Sequence, residues 1–162
     1  MDLPPHVPEE AGRRFEQAYS AQMSGRLDEA IDLYQASLAI CPTAEAHTFL
    51  GWVYSMQKRW EDAIACCHRA IAVDPDFGNP YNDIGAYLIE LGRLDEAIEW
   101  LERAKHAVRY EPRHFPHVNL GRIHAMRHDI PAAVRELRAA VAIEPHATST
   151  RRELHRLLGL LN

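Results

Sequence analysis

The sequence has no uncharged apolar run of about 18 residues, the length a helix needs to cross a bilayer, so no membrane span is expected. Its first ten residues, MDLPPHVPEE, offer neither the basic start nor the apolar core of a secretory signal, and a cytoplasmic location is expected. Basic blocks are missing too. The 18 Lys and Arg are scattered among 23 Asp and Glu, for a net charge of -5, which disfavours binding to phosphate backbones. Three cysteines without a C-x-x-C pair give no disulfide framework and no thiolate zinc site; buried free thiols in a reducing compartment fit better. The G-x-S-x-G elbow, the Walker phosphate loop and H-E-x-x-H are all absent, so nothing supports catalysis. Branched residues are few: Val, Ile and Thr together number 21, against 23 Ala and 16 Leu, a balance that favours helix over sheet.

Ten prolines stand against that helical bias until they are placed along the chain. Pro4, Pro5 and Pro8 belong to an extended N-terminal tail over residues 1–10. Pro42, Pro75, Pro112 and Pro145 follow at spacings of 33, 37 and 33, each behind a similar apolar stretch such as SLAICP or AVAIEP. A proline cannot continue a helix, so these four end helices at a nearly fixed period. Pro80, Pro116 and Pro131 open new periodic stretches, where the first turn tolerates a missing N–H.

Self-comparison at that period is productive. GRLDEAI occurs unchanged at 25–31 and 92–98, with looser copies KRWEDAI at 58–64 and HDIPAAV at 128–134. The central alanines, Ala30, Ala63, Ala97 and Ala133, are preceded by twelve residues by Ala18, Gly51, Gly85 and Gly121. Seven residues after them stand Ser37, Ala70, Ala104 and Ala140, with bulkier Tyr34, Cys67, Leu101 and Leu137 between. Small residues at these spacings let paired antiparallel helices approach closely.

Small, bulky and proline positions together make the chain resemble the tetratricopeptide repeat family, in four copies at about 11–43, 44–77, 78–113 and 114–146. The resemblance implies an all-α, right-handed superhelical solenoid of helix-turn-helix units, with helix A carrying the Gly51-type residue and helix B the Ala63-type residue. Residues 147–162 read as a C-terminal capping helix, started by Thr148 or Ser149, with Leu154, Leu157, Leu158 and Leu161 on one face. Copy three runs long through KHAVRYEPRHF, and an extension of its helix B by about a turn is expected. Copy one has Arg14, Gln17 and Ala21 at its large-residue positions, the polar outer face that a terminal repeat needs.

The resemblance also implies a peptide-binding concave groove lined by helix A of each copy. Carried over residue by residue, its candidate binding residues are Phe15, Tyr19 and Met23 in copy one, and Trp52 and Met56 in copy two. Copy three supplies Asn82 and Ile89; copy four supplies Phe115, Asn119, Arg122 and Met126. Gln22, Thr48, Ser55, Asn79, Ala86, Glu90 and Val118 complete the inward positions. Met23, Met56 and Met126 share one repeat position, and Met with aromatic residues makes a deformable surface suited to amphipathic partners. Two groove chemistries of the family are absent. The clamp of Lys and Asn for a C-terminal carboxylate is replaced by Phe15, Tyr19, Phe49, Asn79 and Asp83, and an asparagine ladder keeps one rung, Asn119, beside Glu16, Phe49 and Asp83.

The partner implied is therefore another protein, presenting a peptide or amphipathic helix, with no cofactor, nucleic acid or membrane. Two alternatives stand beside that reading. A homo-oligomer can form through the leucine-rich C-terminal helix. A metal-dependent enzyme or sensor can be imagined around His114, His117, His124 and His128, but His114 and His128 lie about 21 Å apart on one helix and cannot share an ion. His117 and His124 fall at packing positions. Asp28, Glu29, Glu61, Asp62, Asp95 and Glu96 recur at the start of helix B, where carboxylates stabilise a helix N-terminus.

Overall fold

A computed structural model describes residues 3–161. Among them lie nine α-helices: α1 (Glu9–Met23), α2 (Leu27–Ile40), α3 (Ala44–Met56), α4 (Trp60–Val73), α5 (Asn79–Glu90), α6 (Leu94–Lys105), α7 (His114–Met126), α8 (Ile130–Ile143) and α9 (Thr148–Leu158). The helices pair within each copy as α1–α2, α3–α4, α5–α6 and α7–α8, and each pair stacks on the next, so that the odd-numbered helices also neighbour one another. This is an all-α helical repeat solenoid.

The repeated small residues explain the pairing. Ala18, Ala30, Ala63, Ala70, Ala97, Ala104, Ala133 and Ala140 are completely buried, and Tyr34, Cys67, Leu101 and Leu137 fill the space between the paired helices. At Gly85 a Cβ would stand 2.5 Å from Leu101 Cγ, so Gly85→Ala should cost about 1–3 kcal/mol through overpacking. The largest buried cluster, running from Ala63 to Ile123, joins α4 to α7; another joins α1 to α4 around Phe15, Tyr34 and Phe49.

The turn inside each pair is built alike. Helix α1 ends with Arg26 N–H on Ala21 C=O at 2.9 Å and Gly25 N–H on Gln22 C=O at 3.0 Å, and the same two bonds recur after α3, α5 and α7. That is the Schellman closure, which places one residue in the left-handed region. Gly25 and Gly92 take it with φ 75° and 74°; Lys58 and His128 take it at 59° and 61°, against the steric preference of a residue with a Cβ. On the same edge, the acidic starts of α2, α4 and α6 are tied to the turn of the following repeat: Asp28 to Gln57 at 3.0 Å, Glu61 to Arg93 at 3.3 Å, Asp95 to Arg127 at 2.6 Å. The acidic starts of helix B thus serve both their own helix and the stacking.

Four expectations are corrected. Helix α6 is not extended: it has 12 residues where α2, α4 and α8 have 14, and the additional residues turn out of the helix. There Arg109 N–H donates to Asp76 C=O at 2.9 Å and Gly78 N–H to Arg109 C=O at 3.0 Å, closing a short bridge across the loop edge. Helix α9 starts at Thr148 without a side-chain cap, Ala147 standing at the N-cap. Leu161 lies beyond α9 and is half exposed, whereas Leu157 is buried and Leu154 and Leu158 pack beside it. Helix α1 opens two residues earlier than the expected tail boundary, with Glu9 and Glu10 in its first turn.

Candidate peptide-binding groove

The odd-numbered helices are joined to one another by side chains. Phe15 and Phe49 meet edge to face with centroids 5.2 Å apart, and Gln22 Nε2 lies 3.8 Å from Met56 Sδ, linking α1 to α3. The indole N–H of Trp52 donates to Asp83 Oδ2, linking α3 to α5. Asn119 Nδ2 donates to Asn82 Oδ1 at 3.0 Å and Arg122 Nη1 meets Glu90 Oε1 at 2.8 Å, linking α5 to α7.

These links decide which expected residues are accessible. Tyr19, Met23, Met56, Phe115 and Met126 are 45%, 68%, 54%, 46% and 49% exposed, and all five lie on α1, α3 or α7. Arg122 is exposed, and Trp52 and Asn119 are partly so. Phe15, Ile89 and Asn82 are buried and offer no free side chain, as are Gln22, Thr48 and Asn79. Phe15 is enclosed by Tyr34, Phe49 and the tail residue Leu3, Ile89 sits in the α4–α7 cluster, and Asn82 is used up by Asn119 and Asp83. Burial follows repeat position: the equivalent residues Phe15, Thr48 and Asn82 are buried, and the equivalent residues Met23, Met56, Glu90 and Met126 are exposed. The tail, Leu3 to Pro8, lies against Gly12, Phe15 and Glu16 of α1.

Asp83 stands where an asparagine ladder would have a rung, and nothing in its spacing marks it as a group with a shifted proton affinity. Its carboxyl group is withdrawn from water, which pushes its pKa up to about 7, although donation from Trp52 and Asn82 pulls the other way. The group therefore titrates near neutrality between α3 and α5.

A cavity of about 550 Å³ lies between α7, α8 and α9. Val118, Ala125 and Met126 of α7 and Leu137 of α8 supply its apolar walls, and Arg122, Glu153 and Arg156 reach it as charged groups. Helix α9 packs chiefly on α8, and the side-chain links that join the other odd-numbered helices do not recur between α7 and α9 among the described residues. No spacing in the sequence signals this space, because it depends on the angle at which the cap leaves α8.

Of the described histidines, one touches a groove residue. His117 Nδ1 pairs with Glu136 Oε2 at 2.7 Å, and His114 stacks on Phe115 at 4.2 Å. Among the described residues no three His, Cys, Asp or Glu side chains gather as a metal-binding group. Cys66 and Cys67 are buried thiols; burial pushes Cys66 up to about 11 and Cys67 well above the usual thiol range, which opposes thiolate formation. No described helix is long and apolar enough to cross a membrane.

Three tetratricopeptide repeat models match the chain, at residues 9–45, 44–77 and 81–106. No curated protein sequence matches it. Among solved structures it is similar to pilF of Pseudomonas aeruginosa, with 22% identity over 93% of this chain and 68% of the other and a TM-score of 0.84. It is equally similar in fold to PilW, described as a widely conserved type IV pilus biogenesis factor, at 19% identity over 94% and 70% of the two chains and a TM-score of 0.84. A third similar structure is YrrB, described as a TPR protein with an unusual peptide-binding site, at 18% identity over 94% and 78% and a TM-score of 0.68. At such identities the likeness is one of fold.

Proposed function

The chain belongs to the tetratricopeptide repeat family, and we propose that it is a non-enzymatic scaffold binding a peptide or helix of another protein along the face formed by α1, α3, α5 and α7. The observation that carries this reading is the set of exposed apolar side chains on those helices, Tyr19, Met23, Met56, Phe115 and Met126. Each keeps about half or more of its surface in water, and covering that surface with a partner contributes up to roughly 1–3 kcal/mol per side chain before ordering costs. Three are methionines, whose unbranched chains adapt to irregular partner surfaces. The polar groups beside them, Trp52, Asn119 and Arg122, give direction to such a contact. YrrB, a protein of the same fold, is described by its peptide-binding site, which agrees with this use of the scaffold.

Capture of interacting proteins from native lysate tests the reading when wild type is compared with a Tyr19→Ala, Met56→Asp double variant. Both residues are exposed, so the circular dichroism spectrum should not change. Loss of the captured protein supports the groove; capture by the variant at wild-type level overturns it.

A further inference from the structure

The charges of the chain are separated along its length. Residues 1–102 hold 7 Lys and Arg against 18 Asp and Glu, whereas residues 103–162 hold 11 against 5, together with seven of the ten histidines. The solenoid therefore has an acidic N-terminal part and a basic C-terminal end, and the 550 Å³ cavity opens in the basic end. A cleft of this size with apolar walls lies within the roughly 300–1,000 Å³ range of small-ligand sites.

The rim carries two arginines, Arg122 and Arg156, beside one acid, Glu153. Arg122 uses one guanidinium nitrogen on Glu90, and Arg156 holds both oxygens of Glu153 through Nε at 2.8 Å and Nη2 at 2.6 Å, leaving Nη1 unpaired among the described residues; each arginine remains half exposed. A guanidinium has five donors, so both can take a further carboxylate without releasing the first. Arg151 and Arg152, on the same helix, are exposed and make no ion pair among the described residues. Ser149 and Thr150, in the first turn of α9, also line the cavity, and no side chain caps that turn; its free N–H groups and the helix dipole add to the positive field.

We propose that this cavity is an anchor site for an acidic segment of a partner protein. It receives one large apolar side chain between Val118, Ala125 and Leu137, while carboxylates beside that side chain meet Arg122 and Arg156. The proposal rests on the groove reading and deepens it, since it fixes the partner's chemistry and the end of the array at which it is anchored. Attraction to the basic end and repulsion from the acidic N-terminal part both orient the partner.

A random 12-residue peptide library displayed on phage tests this with the full chain as bait. Expected is a consensus of Leu, Ile, Met or Phe next to Asp or Glu, whose binding falls at least tenfold in Arg156→Glu and in Ala125→Phe, the latter filling the cavity. Arg156 is exposed, so its variant folds even if Ala125→Phe does not. A basic or uncharged consensus overturns the proposal. So does an acidic consensus whose binding depends on Tyr19 and Met56 but survives both cavity variants; in that case the groove reading stands alone. Failure to select any peptide overturns both. A dimer in sedimentation that is lost in Arg156→Glu assigns the cavity to a second copy and also overturns it.

Discussion

Trp52 and Asp83 are joined through the indole N–H and one carboxylate oxygen, and this contact ties helix α3 to helix α5. The acid in this pair has a folded-state pKa of about 7, far above its ordinary 3.8. Between those values the folded chain holds a proton that the unfolded chain has lost. Stability therefore declines as pH rises through that window and is level above it, the reverse of a salt-bridged carboxylate.

Asp83→Asn removes the ionisation and keeps an acceptor for Trp52. The variant should melt several degrees higher than wild type at about pH 8.5, with the difference shrinking towards zero near pH 4. Thermal melts across that range measure it; a difference independent of pH would show that the group is not held neutral.

His47 gives the opposite slope. Burial and nearby Arg69 push its pKa down from 6.5 to about 4, and its Nδ1 has no hydrogen-bond partner. Wild type therefore loses stability as pH falls from 6.5 towards 4, because the unfolded chain takes up the proton first. His47→Leu should flatten that part of the profile, which denaturant titrations at several pH values will show.

Lys58 occupies the left-handed position that Gly25 and Gly92 hold in the first and third turns. Lys58→Gly should raise stability by roughly 0.5–1 kcal/mol, the steric relief outweighing the added freedom of the unfolded chain. Urea unfolding is sufficient to measure it; a loss of stability would mean that the Lys58 side chain contributes more than the turn geometry costs.

Arg109 bridges Glu45 at 2.9 Å and Asp74 at 2.6 Å while lying 4.2 Å over the Phe77 ring. Glu45 is 1% exposed and one of its oxygens has no partner. Arg109→Met would leave a buried carboxylate without its cation and should cost about 3 kcal/mol. Adding Glu45→Gln should restore at least half of that. Double-mutant-cycle unfolding checks the coupling.

Much of this architecture is readable from spacing. The alanines at 30, 63, 97 and 133 recur because each must touch its partner helix, and any larger residue there would separate the pair. The groove is less readable. The inward set mixes repeat positions of different burial: Phe15, Thr48 and Asn82 correspond and are buried, Gln22 and Ile89 correspond and are buried, whereas Met23, Met56, Glu90 and Met126 correspond and are exposed. Glu45 and Arg109 are 64 residues apart, and no period of the repeat relates them. The loop at residues 106–113 appears in the sequence as surplus length, with nothing to distinguish a longer helix from a bridge to Asp76 and Gly78.

Helix α9 rests chiefly on α8, whereas every inner helix is held from several sides. Local opening therefore begins at the C-terminus, and backbone amides of α9 should exchange with solvent well before those of α4 to α7. Because α9 forms one wall of the cavity beside α7, its fraying is also a door. For the segment proposed to lodge there, Leu157→Ala should shorten the residence time by loosening α9, without touching the bound segment.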